Sequence, residues 1–389
     1  MSARHTLGPL RRLIPLAGAI LLLSAAPSSA APASAVPAST GGVLIEGGAP
    51  KSPRASVRLG RGSELRKLTA NAKVRKRPPV RPIVRTTRRP SKPASSAPET
   101  SPPTTASVVP NDPLWRDSWS LAKVNALGAW SSTTGLTETV VAVLDTGVDL
   151  THPDLQGAFV AGYDTVNEDA DPSDDHGHGT MVAGVIAARS NNGIGVVGAC
   201  WRCSLMPVKV IAGNGLGSAA DVAEGISWAT THGARVINLS FTLSAWDAGV
   251  AAAIDRARAS GVVLVAAAGN TGTDATTFPA SHPGVVSVAG SDGADARYLW
   301  SSYGSWVRLA APGCSLTTAA GAAYGEFCGT SSATAFVSGL AGLARSYAPT
   351  FSPDAIAKAL TTSTVPVGDF VSTGRVDAAR VIGALRASR

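Results

Sequence analysis

Apolar positions in the second two-thirds of the chain come in two alternating rhythms. Thr139-Val140-Val141-Ala142-Val143-Leu144 is an uninterrupted β-branched block, the signature of a strand covered on both faces. Comparable blocks recur at 205–211, 236–240, 262–267, 285–289 and 307–310. Between them lie stretches of helical length, at 181–188, 219–231 and 245–259. Strands alternating with helices of this size imply right-handed crossovers and a sheet clothed on both sides. The expected fold is therefore α/β, a three-layer, doubly wound, mostly parallel sheet. A last amphipathic run follows Gly329-Thr330-Ser331-Ser332-Ala333, with Phe336, Val337, Leu340, Leu343 and Ala344 at helical spacing.

Polar side chains sit where these elements end. Asp145-Thr146-Gly147 closes the first strand, and open parallel sheets place their sites at that end. An ordinary aspartate turn has the same local pattern. Beyond an acidic stretch at 167–175, His176-Gly177-His178-Gly179-Thr180 opens a helix, and either histidine has the reach of a cleft. Two histidines so spaced also suit a metal, but further ligand partners are not evident. Asn270, in Ala268-Gly269-Asn270, brings an amide donor to the same rim or serves a turn. Ser331 stands at a helix N-terminus, which favours negative charge beside it. It is equally placed to be a plain N-cap.

Charge divides the chain. Before residue 109 there are 18 Lys/Arg against 3 Asp/Glu, and from there 16 against 23, so a basic leader precedes an acidic body. Neither part interleaves basic with aromatic residues, which argues against nucleic acid as a partner. The hydrophobic fraction of 44% suffices for a large core in the body, residues 109–389. Arg4, Arg11 and Arg12 precede an apolar run at 13–23, and Ser28-Ser29-Ala30 or Ala33-Ser34-Ala35 offers a cleavage site. Residues 1–30 thus read as a secretory signal peptide, with an uncleaved anchor as the alternative. After its removal no other stretch is suited to a membrane, and the expected product is secreted, soluble and monomeric. Residues 31–108, rich in Pro, Ser, Thr and basic residues, are expected to be disordered, as a linker or as a pro-segment drawn to the acidic body. Four cysteines allow three pairings. The simplest is Cys200–Cys203 with Cys314–Cys328. Export favours structural bridges over a redox or zinc role for Cys200-Trp201-Arg202-Cys203.

Taken together, Asp145, His178 and Ser331 stand in the order that marks subtilisin among serine hydrolases. Residues 110–389 resemble the subtilases, through Asp145-Thr146-Gly147, His178-Gly179-Thr180, Ala267-Ala268-Gly269-Asn270 and Gly329-Thr330-Ser331-Ser332-Ala333. The resemblance implies an endopeptidase acting on proteins or peptides through an acyl-enzyme, with Ser331 as nucleophile, His178 as base and Asp145 orienting it. It assigns Asn270 and the Ser331 backbone N–H to the oxyanion hole. It matches Ser240, Phe241, Thr242, Ala268, Gly269 and Thr277 to the substrate cleft, where the bulk of Phe241-Thr242 departs from a usual glycine and is expected to narrow the first pocket. It implies no catalytic cofactor, but a structural calcium held by Asp112, Asp154, Asn192, Ile194 and Val196. A second departure, Ala335-Phe336, falls in the helix after the nucleophile. The rival within the family is a catalytically silent binding protein. An esterase elbow Gly-x-Ser-x-Gly and a zinc motif His-Glu-x-x-His are both missing from the sequence.

Overall fold

The computed structural model describes residues 42–44, 57–58 and 108–389. The expected signal peptide at 1–30 and most of the leader lie outside the described residues. Two short leader strands are described, β1 (Gly42–Leu44) and β2 (Val57–Arg58). The body opens with short helices α1 (Trp119–Lys123) and α2 (Ala126–Trp130), then β3 (Val140–Asp145), β4 (Tyr163–Asp164) and α3 (His178–Ala187). Next come β5 (Ser204–Lys209), β6 (Leu216–Ser218), α4 (Ala219–Thr231), β7 (Val236–Leu239), β8 (Thr242–Leu243), α5 (Ala248–Ala259) and β9 (Val263–Ala267). The chain ends with β10 (Val285–Ser291), β11 (Leu309–Pro312), β12 (Cys314–Ala319), β13 (Ala323–Cys328), α6 (Thr330–Tyr347), α7 (Pro353–Thr362), β14 (Thr364–Val365), β15 (Arg375–Val376) and α8 (Ala378–Ala387).

Nine strands form the main sheet, in the order β14-β15-β11-β10-β9-β7-β3-β5-β4. All neighbours pair in parallel except β14 with β15. From β3 the chain steps to β5 on one side and then to β7 on the other. That reversal opens a crevice at the C-terminal ends of β3 and β7, where such sheets bind their ligands.

Alternation along the strands builds the layers. Val141 and Val143 of β3 join one apolar cluster with α3 and α6, and Ala142 and Leu144 join the other with α4 and α5. Local signals start the helices as well. Ser218 and Asp221 make a reciprocal capping box on α4, and Asp247 caps α5, which therefore begins at Ala248 and not at 245.

Helix α6 differs from its expected amphipathic character. Every residue from Thr330 to Ser346 is buried. Its Ser, Ala, Thr and Gly content lets neighbours come close on all sides. A β-carbon at Gly339 would stand 2.7 Å from that of Ala199 and 2.8 Å from the Ile186 carbonyl. Ala335 and Phe336 are both interior, so this departure from the family pattern is absorbed by packing.

Both expected disulfides, Cys200–Cys203 and Cys314–Cys328, are formed. The second joins directly opposed residues of the β12–β13 hairpin. No helix of the described residues is long and apolar enough to cross a membrane.

Candidate active site

Asp145 ends β3 completely buried, at the crevice. Its Oδ1 accepts from the Thr146 backbone N–H at 2.8 Å and pairs with His178 Nδ1 at 2.7 Å. Oδ2 is buried with no hydrogen-bond partner among the described residues. An almost bare buried carboxylate strongly favours a cation beside it. The His178 ring feels this. Burial pulls its pKa down, but the charges of Asp145 and then Asp174 outweigh that, and the imidazole lies above its ordinary value.

Glycines make the approach of the two motifs geometrically feasible. A β-carbon on Gly179 would stand 2.0 Å from the Gly147 carbonyl oxygen and 3.1 Å from the Asp145 β-carbon. Gly147 itself has φ 97°, a conformation other residues rarely adopt. His178 is the first residue of α3, with its side chain 9% exposed and the Phe327 ring edge-on to it at 5.3 Å. His176, two residues earlier, is exposed.

Asp174 was not singled out by the sequence, yet it ties the two motifs together. Its carboxylate accepts from Thr146 Oγ1, from the backbone N–H groups of His176, Gly177 and Thr180, and from Thr180 Oγ1. Thr146 Oγ1 in turn accepts from the Gly179 N–H at 3.0 Å. An aspartate closely preceding the histidine motif, spaced to accept from following N–H groups, was the only available signal.

Ser331 occupies the first turn of α6, 6% exposed. Its hydroxyl donates to the Ser240 carbonyl at 2.8 Å, and the Ser240 hydroxyl donates to the Ser331 carbonyl at 3.1 Å. Ser331 is not the cap of this helix. The N-cap is Gly329, with no side-chain bond. Asn270 follows β9, and its Oδ1 accepts both the Thr330 N–H at 2.8 Å and the Thr330 hydroxyl at 3.0 Å. Those two donors fix which end of the amide is oxygen. The amide nitrogen then lies on the side of Gly329, 3.5 Å from where a β-carbon on that glycine would stand.

Ser240, Phe241, Thr242, Gly269, Asn270 and Ser331 line one small pocket. Ala268 is fully buried behind it, and Thr277 donates to the Ala268 carbonyl at 3.0 Å. Of the two residues expected to narrow the pocket, Phe241 lines it but by alternation turns its ring, 2% exposed, into the apolar layer with Leu239, Leu243 and Val250. Of the expected pair, Thr242 alone turns its side chain toward Gly269. Beside the pocket, β1 of the leader runs antiparallel between β6 and β8, with Leu44 opposite both Leu216 and Thr242.

The residues expected to hold calcium also meet. Asp112 accepts from the Asn191 and Asn192 N–H groups, and Asp154 from the Val196 N–H and the Asn192 side-chain amide. Both carboxylates are buried, at 4% and 0% exposure. Burial, and then the charge of Asp112, push Asp154 up to about 6 against the pull of its hydrogen bonds. Two carboxylates under such strain, with peptide carbonyls nearby, make a hard-oxygen donor set that suits calcium. The Asn192 amide nitrogen, not its oxygen, faces Asp154 Oδ1 at 2.8 Å, so that amide must turn before its oxygen can share an ion with that carboxylate.

The model of the subtilase family matches residues 137–381. Thermitase of Thermoactinomyces vulgaris is 37% identical over 276 residues, which make up 70% of this chain and 99% of that protein. A thermophilic serine proteinase of Bacillus sp. (strain AK1) is 42% identical over 216 residues, 55% of this chain. The match spans only 54% of that proteinase, about half its length. A halolysin-like extracellular serine protease of Natrialba magadii is 34% identical over 69% of this chain and 52% of its own. Among solved structures, a protease from Pseudoalteromonas arctica superposes with a TM-score of 0.66 at 32% identity, covering 71% of this chain and 99% of that one.

Proposed function

The chain belongs to the subtilase family of subtilisin-like serine endopeptidases, and on that premise we propose that it hydrolyses peptide bonds through Asp145, His178 and Ser331 by way of an acyl-enzyme. The observation that carries the reading is the 2.7 Å pairing of a buried, otherwise nearly bare Asp145 with His178 at the rim where Ser331 begins its helix. A serine hydroxyl is a weak nucleophile at neutral pH and needs a base to take its proton. With β1 paired along β8 as far as Thr242, the hydroxyl is held by the Ser240 carbonyl. A substrate strand that continues past Thr242 to pair with Ser240 would compete for that carbonyl, leaving the hydroxyl to turn about its Cα–Cβ bond toward His178. His178 takes the proton as Ser331 attacks, and Asp145 stabilises the imidazolium while remaining ionised. The imidazolium then protonates the leaving amine, and water, activated by the same ring, releases the acyl group.

Negative charge gathers on the former carbonyl oxygen, between the Ser331 N–H and the Asn270 amide. Thr330 presets that amide, so no reorganisation is needed as the charge forms. Asn270→Ala is expected to lower kcat by about 10²–10³-fold, the range found for the corresponding asparagine of subtilisin itself, with KM little changed. Steady-state kinetics on one peptide amide would check this. A rise in KM at constant kcat would assign Asn270 to ground-state binding instead.

The leader is read as an exported pro-segment. Its strand β1 occupies the edge groove between β6 and β8, which supports the reading because an extended peptide binds such a groove through its backbone. Deleting residues 36–108 is expected to lower the yield of active enzyme, and a synthetic peptide of residues 36–50 to inhibit the body competitively. Unchanged yield without inhibition would leave the leader a simple linker.

For calcium, Asp112, Asp154, Asn192 and the carbonyls of Ile194 and Val196 are the proposed ligands, and the ion stabilises the fold without entering the reaction. At a free concentration a hundred times its Kd it adds about 2.7 kcal/mol. Chelation should then lower Tm by about 5 °C in a body of this size. Asp154→Asn should remove that response, as scanning calorimetry with and without chelator would read. An unmoved Tm in the wild type would leave 191–193 an ordinary surface turn.

Hydrolysis of a folded protein or a peptide library, abolished by a serine-directed phosphonate, tests the reading as a whole. A silent binding protein would give neither cleavage nor labelling.

A further inference from the structure

The pocket beside Ser331 lies between two strand ends, Ser240 to Thr242 on one side and Ala267 to Asn270 on the other. It would receive the side chain on the acyl side of the scissile bond. Its dimension is set where the two walls face each other at Gly269. A single β-carbon built on Gly269 stands 3.5 Å from Thr242 Cγ2, 3.3 Å from Thr277 Cγ2 and 3.2 Å from Ser302 Oγ. One carbon therefore already touches both threonine methyls. A phenyl ring needs about 3.5–4.0 Å to each wall, or about 7–8 Å between them.

The Thr277 side chain and the backbone that carries both methyls are tied in place. The Thr277 hydroxyl donates to the Ala268 carbonyl at 3.0 Å. The following residue, Phe278, accepts the Leu243 N–H at 2.7 Å and so fastens the far end of the pocket to the strand that carries Thr242. With β1 of the leader paired along β8, what remains open is about 10 Å³, room for about one water. None of the lining residues bears a charge.

We propose that Thr242 and Thr277 close this pocket to all but small side chains, so that the enzyme cuts after glycine, alanine and serine and rejects aromatic and long aliphatic residues. This rests on the protease reading and specifies its substrates. A pocket built for small residues rejects larger ones by overpacking, and differences of even one methylene in such a pocket change kcat/KM by about 10–200-fold.

The test is a series of peptide p-nitroanilides identical except for Gly, Ala, Ser, Leu or Phe at the residue before the cut. Active sites are counted by titration with a serine-directed phosphonate. The wild type should give kcat/KM at least about tenfold higher for Ala than for Phe. Thr242→Gly should raise the Phe-to-Ala ratio by about tenfold or more, and Thr277→Gly should raise it independently, so failure of one variant to fold does not end the test. Thr242→Val, which keeps the branch, should keep the wild-type ratio. A wild type that prefers Phe, or glycine variants with an unchanged ratio, would overturn the proposal while leaving the protease reading standing. No cleavage of any peptide together with an unlabelled Ser331 would remove both.

Discussion

Replacing Ser331 with alanine is expected to lower kcat for peptide hydrolysis by about a million-fold while the protein stays folded. That size is the one known for the nucleophile of subtilisin itself and is carried over to this relative. Geometry gives the physical reason. The hydroxyl oxygen is the atom that must bond to the substrate carbon, and no other group in the pocket can replace it. Ser240 donates its own hydroxyl to the Ser331 carbonyl and accepts the Asn238 side-chain amide N–H. Stability should barely move, since the substitution removes a single hydrogen bond to Ser240, worth about 1 kcal/mol, and alanine is the better helix former. Stopped and continuous assays of the purified variant, with its Tm, would decide. Turnover retained at more than a thousandth of the wild type would take Ser331 out of the mechanism.

The second large effect belongs to Asp145→Asn. A loss of about 10⁴ in kcat is expected, because an amide no longer holds the imidazole in the tautomer that accepts the serine proton. The pH profile should change with it. Neutral His178 is the active base, so activity rises with pH through the pKa of that ring. In the wild type burial lowers that pKa, but Asp145 and Asp174 raise it further than burial depresses it, so the acid limb should lie above the usual imidazole value of 6.5. In the variant burial remains and the larger attraction is gone, so the limb should shift to lower pH. A profile of kcat/KM that keeps its acid limb after the substitution would mean that Asp145 does not set the charge on His178.

Much of this was legible in the sequence, for reasons that differ by element. Val140 to Leu144 announced a buried strand because only a strand covered on both faces tolerates such a run. The triad was legible because its glycines are required by backbone approach: Gly179 has no room for a side chain against Gly147 and Asp145. The spacing of Phe336, Val337, Leu340 and Leu343 predicts an amphipathic helix α6. Its Ser, Thr and Gly residues are as deeply buried as its Leu, which hydrophobicity does not register. In the sequence Phe241 and Thr242 form one bulky pair, whereas strand alternation sends their side chains to opposite sides. Asp174 was invisible among its acidic neighbours. Its role comes from hydrogen bonds to residues on both motifs, a property of folded distances rather than of spacing. The pairing of β1 with β6 and β8 likewise joins residues far apart in the chain, and nothing in Gly42-Val43-Leu44 marks it.

The relay from Asp145 through His178 to Ser331 is tested most directly by where a fluorophosphonate lands. The processed protein is treated with the reagent, digested and mapped by mass spectrometry, alongside His178→Ala and the heat-unfolded chain. The expected result is a single adduct on Ser331 in the folded wild type, absent from both controls. An unlabelled Ser331 in an intact fold, or equal labelling when His178 is gone, would contradict it.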